Sequence, residues 1–393
     1  MMPFALKYVL ILIGTLITSV ILTPLIRFLA FKIGAVDHPN ARRINKVSMP
    51  TAGGLAIFIT FSAAVLFFLP QIVTYVSHKG TYFDYVLPLV LASGMVVVTG
   101  LVDDIKELSP LPKFLGITAA ALVIWFFTDF HFDAFKLPFG GPYIEFPTWL
   151  SFFLTMLWIV AITNAVNLID GLDGLVSGVS IISLTTMGLV SYFFLVESEI
   201  YLTLTLFVLV VAIVGFLPYN YNPAIIYLGD TGALFIGFMI GVLSLQGLKN
   251  STAVAVVTPM IILGVPITDT VVAIIRRILS GKKIYEADRM HLHHRLLSLG
   301  LTHRGTVLVI YGISFLFSLI SLLFNVSSRV GGVLLILSAG FGLVLFCELI
   351  GIFGENRTPL LNLLRFIGNS GYRQERVADW KEKRIIRRNQ KKD

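Results

Sequence analysis

Cysteine is nearly absent. Cys347 stands alone among 393 residues, so no disulfide can form within the chain. Charge is scarce too: Asp, Glu, Lys and Arg make up 13%, where a soluble domain carries about a quarter. That scarcity excludes one large soluble core. No G-x-x-x-x-G-K-[ST] loop and no G-x-G-x-x-G turn occurs, which removes the sequence grounds for ATP use and for a Rossmann fold. The N-terminal apolar stretch has no A-x-A-like cleavage site and is too long for a signal-peptide core, so it reads as a retained first span.

Apolar length is plentiful. Hydrophobic residues make up 56% of the chain, and the mean hydropathy is +0.88. At about 20 apolar residues per crossing, run length predicts about eleven spans: 4–33, 51–70, 84–102, 112–128, 149–166, 174–195, 201–217, 231–247, 253–275, 307–324 and 331–353. Placing the N-terminus outside puts 25 of the 30 Lys and Arg residues inside. Only Lys7, Lys79, Lys136, Lys249 and Arg329 then fall outside. This is the positive-inside asymmetry, and it accounts for the net charge of +8 without nucleic acid. The expectation is an all-α polytopic membrane protein, N-terminus outside and C-terminus inside. Residues 1–356 form the membrane domain and 357–393 a basic inner tail, whose segment 380–393 suits anionic lipid, with partner binding as the alternative.

With this topology every unusual polar cluster lands on the inner face, in 37–51, 103–113, 164–173, 218–230 and 276–295. Carboxylates beside hydrocarbon are costly and point to function. Asp103 and Asp104 close one span; adjacent carboxylates repel unless a cation neutralises them, which suggests a metal site or a general base, against a solvated helix end. Asn164, Asn167, Asp170 and Asp173 recur every three residues. On a regular helix they fan across half the circumference, so they converge only if the helix tightens or ends, and Gly171 and Gly174 make a break reasonable. Such mixed oxygen ligands suit Mg²⁺, with Mn²⁺ as the alternative; the structural alternative is hydrogen bonding between helices. Asp230 sits in Leu228-Gly229-Asp230-Thr231-Gly232 where a helix starts, so it is a ligand candidate or simply an N-cap. Upstream, Tyr219 to Pro223 offers aromatic faces and amides for a nucleobase.

His291, His293 and His294 are followed by Arg295, with Arg276, Arg277, Lys282, Lys283 and Arg289 nearby. Zinc is one reading. No cysteine lies close by, and a phosphate clamp of imidazole and guanidinium donors fits better. Arg42, Arg43, Lys46 and Pro50-Thr51-Ala52-Gly53-Gly54 open the second span, where glycines allow close backbone approach to a ligand. Intramembrane acids also suit an ion-coupled transporter. Transporter sites, however, lie near the midplane between repeated halves, whereas these acids sit at one face and no internal repeat is evident.

Together the segments NKVSMPTAGG, GLVDD, NAVNLIDGLDG, YNPAIIYLGDTG and HLHH resemble the polyprenyl-phosphate N-acetylhexosamine-1-phosphate transferase family over roughly residues 37–295. The HLHH form is similar to the GlcNAc-1-phosphate branch that starts teichoic acid, O-antigen or enterobacterial common antigen. The phospho-MurNAc-pentapeptide branch, with its HHH-type motif, is the runner-up. The resemblance implies transfer of GlcNAc-1-phosphate from UDP-N-acetylglucosamine to undecaprenyl phosphate at the inner face of a bacterial inner membrane, with Mg²⁺ as cofactor and a homodimer left open. It implies Asp230 and Asn167 as metal ligands, and Asp103 and Asp104, with Asp170 and His293, as catalytic residues. Asn220, Tyr227 and Asp173 would line a uridine pocket. Lys46 and Lys113 would lie near phosphates. His291, His294 and Arg295 would hold sugar and diphosphate, with Thr51, Asn164 and Arg276 as further substrate-binding candidates.

Overall fold

The computed structural model describes residues 3–38, 48–73, 75–76, 80–136, 143–194, 200–246, 253–279, 281, 290–349, 351, 358–368, 371, 373–374, 376 and 380. Among them the chain is helical almost throughout. The helices are α1 (Phe4–Ile33), α2 (Gly53–Ala63), α3 (Tyr82–Lys106), α4 (Pro110–Phe127), α5 (Thr148–Leu168), α6 (Leu175–Phe194), α7 (Ile200–Asn220), α8 (Gly229–Gln246), α9 (Ala253–Ile262), α10 (Gly264–Leu279), α11 (Leu292–Ser298), α12 (His303–Val326), α13 (Arg329–Leu349) and α14 (Pro359–Gly368). A π turn and a 3₁₀ turn carry α2 on to Gln71.

The multi-pass helical architecture expected from the sequence is present, with two refinements. Among the described residues nine helices, not eleven, are long and apolar enough to cross a membrane. The apolar part of α8 is shorter, and the run at 253–275 breaks after Ile262 into α9 and α10. The fold is also not purely helical: β1 (Val36–Asp37) pairs with β2 (Met49–Pro50), β3 (Tyr75–Val76) with β4 (Gly80–Thr81), and β5 (Ala134–Lys136) with β6 (Tyr143–Glu145), each antiparallel. These ladders tie the ends of helices where the chain turns back. Of the basic tail, 381–393 lies outside the described residues.

Local chemistry sets the helix starts. Thr81 and Asp84 form a capping box on α3, with the Thr81 N–H donating to Asp84 Oδ2 at 2.7 Å, which satisfies amides a helix leaves open. Pro110 begins α4, where its missing N–H costs nothing. Long side chains on the outer helices point away from the bundle: Phe28, Phe126 and Val330 are exposed, as bilayer-facing residues should be.

α8 is different. From Ala233 to Leu245 its apolar side chains are buried on every side, the mark of a central helix. It packs against α5, α3 and α2. Small residues permit this. A methyl group on Gly54 would run into the Gly232 backbone, and one on Gly237 would meet the Thr163 backbone at 2.9 Å. In a bilayer such close backbone approach supplies the packing that water-driven burial cannot. It also fixes the start of α8 against the ends of α2 and α3.

Candidate active site

The end of α3 and the start of α8 build the acidic centre, and the adjacent pair Asp103 and Asp104 is split between two jobs. Asp104 accepts from the Asp230 N–H at 2.9 Å, the Thr231 N–H at 3.0 Å and the Thr231 hydroxyl at 2.5 Å. It therefore caps α8 from another helix, placing negative charge at the positive end of a helix dipole. Gly229 has φ +70° and lies against this carboxylate, a conformation an L side chain would strain. Asp103 points the other way, accepting from the Leu108 N–H at 2.6 Å and from Lys113 at 2.5 Å. Lys113 also reaches Asp230 at 2.8 Å. Because Asp104 does the capping, the Asp230 carboxylate is left for Lys113 and the cavity, which sets aside the N-cap reading of Asp230.

These groups line an open cleft of about 1840 Å³ of empty space, part of it open solvent. The helix break expected in the Asn/Asp repeat is there: α5 ends at Leu168, and Gly174 takes φ +77°. Asn167, Asp170 and Asp173 consequently all face the cleft. Asn164 does not; its side-chain amide donates to the Val160 carbonyl at 2.7 Å. Asp173 is a bracket as well as a lining residue, since its Oδ2 accepts from the Asn222 amide at 2.9 Å and the Ala224 N–H at 3.1 Å. Asn220, Asn222 and Tyr227 complete that wall, and Thr51 lies at the other side. Asn220 is held by the Ser177 hydroxyl at 2.9 Å and donates to the Ile226 carbonyl at 3.2 Å.

Asp170 opens onto the cleft although protein surrounds it. That enclosure, then the charges of Asp230, Asp104 and Asp173, push its pKa well above the ordinary carboxylate range. Burial, then Asp173, raises Tyr227.

The histidine segment divides. His294 faces the cleft. His291 and His293 are buried behind it, so neither is placed as an open phosphate donor. Burial, then the neighbouring His294, lowers the His293 pKa to about 3, which keeps the ring neutral at physiological pH. Arg295 lies against Gly351, and neither it nor Arg276 lines the cleft. Lys46, with Arg42, Arg43, Lys282, Lys283 and Arg289, lies outside the described residues.

The donor set fits a hard divalent cation. Asn167 bears on Asp230, and its Oδ1 is buried with no hydrogen-bond partner. An orphaned amide oxygen beside a carboxylate is an oxygen-ligand pair, and Mg²⁺ commonly takes one or two carboxylates and completes its shell with water and substrate phosphate. Among the described residues no three His, Cys, Asp or Glu side chains cluster as a ready-made cage.

Sequence reasoning missed three residues. His303, at the start of α12, lines the cleft and accepts the Asp173 N–H at 3.0 Å; a single histidine carries no pattern. Thr231 holds Asp104. Asp269 holds His291 from within α10, and the rule that flagged the other carboxylates in apolar runs would have found it.

The glycosyl transferase family 4 pattern matches residues 86–248, which hold most of the cleft. A Bacillus subtilis protein described as a probable undecaprenyl-phosphate N-acetylglucosaminyl 1-phosphate transferase is 41% identical over 359 residues, 90% of this chain and 95% of its own. A Mycobacterium tuberculosis decaprenyl-phosphate N-acetylglucosaminephosphotransferase is 34% identical over 73% of this chain and 74% of its own. An undecaprenyl-phosphate alpha-N-acetylglucosaminyl 1-phosphate transferase of Salmonella typhi is 28% identical over 76% and 79%. Such similarity along nearly the whole length, over the residues that build the cleft, makes this chain a member of glycosyl transferase family 4.

Proposed function

We propose that the protein transfers GlcNAc-1-phosphate from UDP-N-acetylglucosamine to undecaprenyl phosphate, giving undecaprenyl-diphosphate-GlcNAc and UMP. The observation that carries this is the acidic cleft at the ends of apolar helices, where Lys113 is held between Asp103 and Asp230. A lipid acceptor keeps its chain in the bilayer and brings its phosphate to that depth. A phosphate oxygen of the acceptor attacks the β-phosphorus, the bond to the bridging oxygen breaks, and UMP leaves.

The residues supply positioning and charge, the main needs of phosphoryl transfer. Phosphate monoesters have a second pKa of about 6, so the nucleophile arrives largely dianionic and needs little general base. Asp103 acts chiefly by aiming Lys113, whose ammonium offsets negative charge on the reacting phosphates. Asp104 fixes the start of α8 and with it Asp230. Asp230 and Asn167 would hold Mg²⁺, or Mn²⁺ in its place. Bound there, the ion would supply Lewis-acid neutralisation of the diphosphate. Among the described residues the cleft otherwise presents carboxylates from Asp37, Asp103, Asp104, Glu107, Asp170, Asp173 and Asp230 against one lysine, a field hostile to an anionic substrate without added cation. Asn220, Asn222 and Tyr227 suit the nucleoside end, and His294 the sugar-diphosphate. The setting is the cytoplasmic face of a bacterial plasma membrane, as the first membrane step of an envelope polymer such as wall teichoic acid.

The test is UMP release by purified protein in detergent, with several UDP-sugars, with and without undecaprenyl phosphate and after chelation. UMP should appear only with UDP-GlcNAc and lipid phosphate together and stop on chelation. Asp230→Ala should lose at least ~99% of turnover, since a principal ligand is worth several kcal/mol of charge stabilisation. UMP release that ignores the lipid, or survival of a tenth of the activity in Asp230→Ala, overturns the assignment.

A further inference from the structure

A carboxylate the proposed reaction does not use lies behind the histidine segment. Asp269 is buried within α10, only 3% exposed. Its Oδ2 meets His291 Nδ1 at 2.8 Å, and its Oδ1 accepts the Leu292 N–H at 2.8 Å. An ionised carboxylate can only accept, so the imidazole donates from Nδ1. Leu292 is the first residue of α11, and His291, the residue before it, makes no side-chain cap of its own. Both ends of the Asp269 carboxylate thus grip the point where α11 starts.

The grip reaches the cleft through a row of imidazole rings. His291 and His293 lie with rings nearly parallel, 5° apart, and His293 packs beside His294 with centroids 4.2 Å apart. The His293 ring fills the space above Gly171, where a methyl group would meet His293 Cε1 at 2.7 Å. Gly171 adjoins Asp170. A continuous set of contacts therefore runs from α10 through α11 to the acidic turn, with His294 on its open side.

We propose that Asp269 is the positioning residue of this loop: by holding His291 and the first N–H of α11, it fixes where His294 stands and how the Asp170 turn is backed. The inference rests on the transferase reading for what the loop serves, namely the donor sugar-diphosphate. The positioning itself is independent of that reading. A buried charge with two donors is costly to break on one side, because what remains is left unpaired.

Two readouts on Asp269→Ala test it. Backbone hydrogen exchange over 290–299 should accelerate at least about tenfold, with peptides from α3 and α8 unchanged. The KM for UDP-GlcNAc should rise or kcat fall by at least about tenfold, while the KM for undecaprenyl phosphate stays within about twofold. Asp269→Asn keeps an acceptor for Leu292 and a partner for the imidazole, and should lie between wild type and alanine in both readouts. If Asp269→Ala does not accumulate, His291→Ala, which breaks only one of the two bonds, should move both readouts the same way. Unchanged exchange over 290–299 overturns positioning. Faster exchange with unaltered donor kinetics overturns the link to the donor. Faster exchange in a protein whose wild type releases no UMP leaves positioning standing and removes the transferase reading instead.

Discussion

At the residue scale, neighbouring side chains of one type have opposite duties. Asp104 satisfies two backbone N–H groups and a hydroxyl at the start of α8. Asp104→Ala leaves those donors without a partner and should cost about 1–3 kcal/mol, read as a lower thermal midpoint in detergent, together with loss of turnover. Asp103→Ala should lower turnover with a smaller loss of stability, because its partner Lys113 keeps Asp230. Equal stability losses in the two variants would contradict this division. The histidines divide likewise. His293, with its pKa near 3, should stay neutral in a ¹⁵N-histidine titration until well below pH 5. Its folded pKa lies under the unfolded value of about 6.5, so the unfolded chain binds the proton more readily between the two. His293 thus supports the fold fully above about pH 6.5, and that support drains away as pH falls toward 3. A ring titrating near 6.5 would contradict its burial.

At the scale of elements, the site is made where helix ends meet, and glycines set how closely. Gly54 has the Gly232 backbone where a side chain would begin, so Gly54→Ala must part α2 from α8. Overpacking of this kind costs about 1–3 kcal/mol, and parting these helices moves Asp230 relative to Lys113. Reduced thermal stability and a turnover drop of at least about tenfold are expected; an unaffected enzyme would show the start of α8 to be softer than its packing implies. The α12 helix contributes at its own start, where His303 takes the Asp173 N–H and Arg304 donates to the Asn222 carbonyl at 3.0 Å. It pins the two loops that carry Asp173 and Asn222.

At the scale of the whole molecule, the membrane architecture was legible because hydropathy counts length, and length is what a bilayer demands. The break between α9 and α10 was not: Leu263 and Gly264 sit in an unbroken apolar run. The acidic centre was legible as a set, because carboxylates beside hydrocarbon stand out. Their division of labour was hidden, since it depends on which helix end faces which. Asn164 shows the same limit: it shares α5 and the three-residue spacing with Asn167, yet its amide is turned to the Val160 carbonyl instead of the cleft. The sidedness proposed from the Lys and Arg distribution makes a direct prediction. With Cys347, the sole thiol, changed to serine, a cysteine placed at Glu107 should be labelled by an impermeant reagent only from inside, and one at Asp133 only from outside. The reverse pattern would invert the topology.

The buried position of α8 also bears on how the molecule is made. Its packing partners α2, α3 and α5 all precede it in the chain, and synthesis proceeds from the N-terminus. The slot for α8 can therefore exist before α8 does, with Asp104 already at its mouth and no amides yet to receive. Delivery of Gly229 to Thr231 into that slot completes the acid–lysine cluster in one event. A nascent chain that stops short of α8, or threads it wrongly, has a membrane protein's surface but no assembled site, so activity itself reports that insertion was finished correctly.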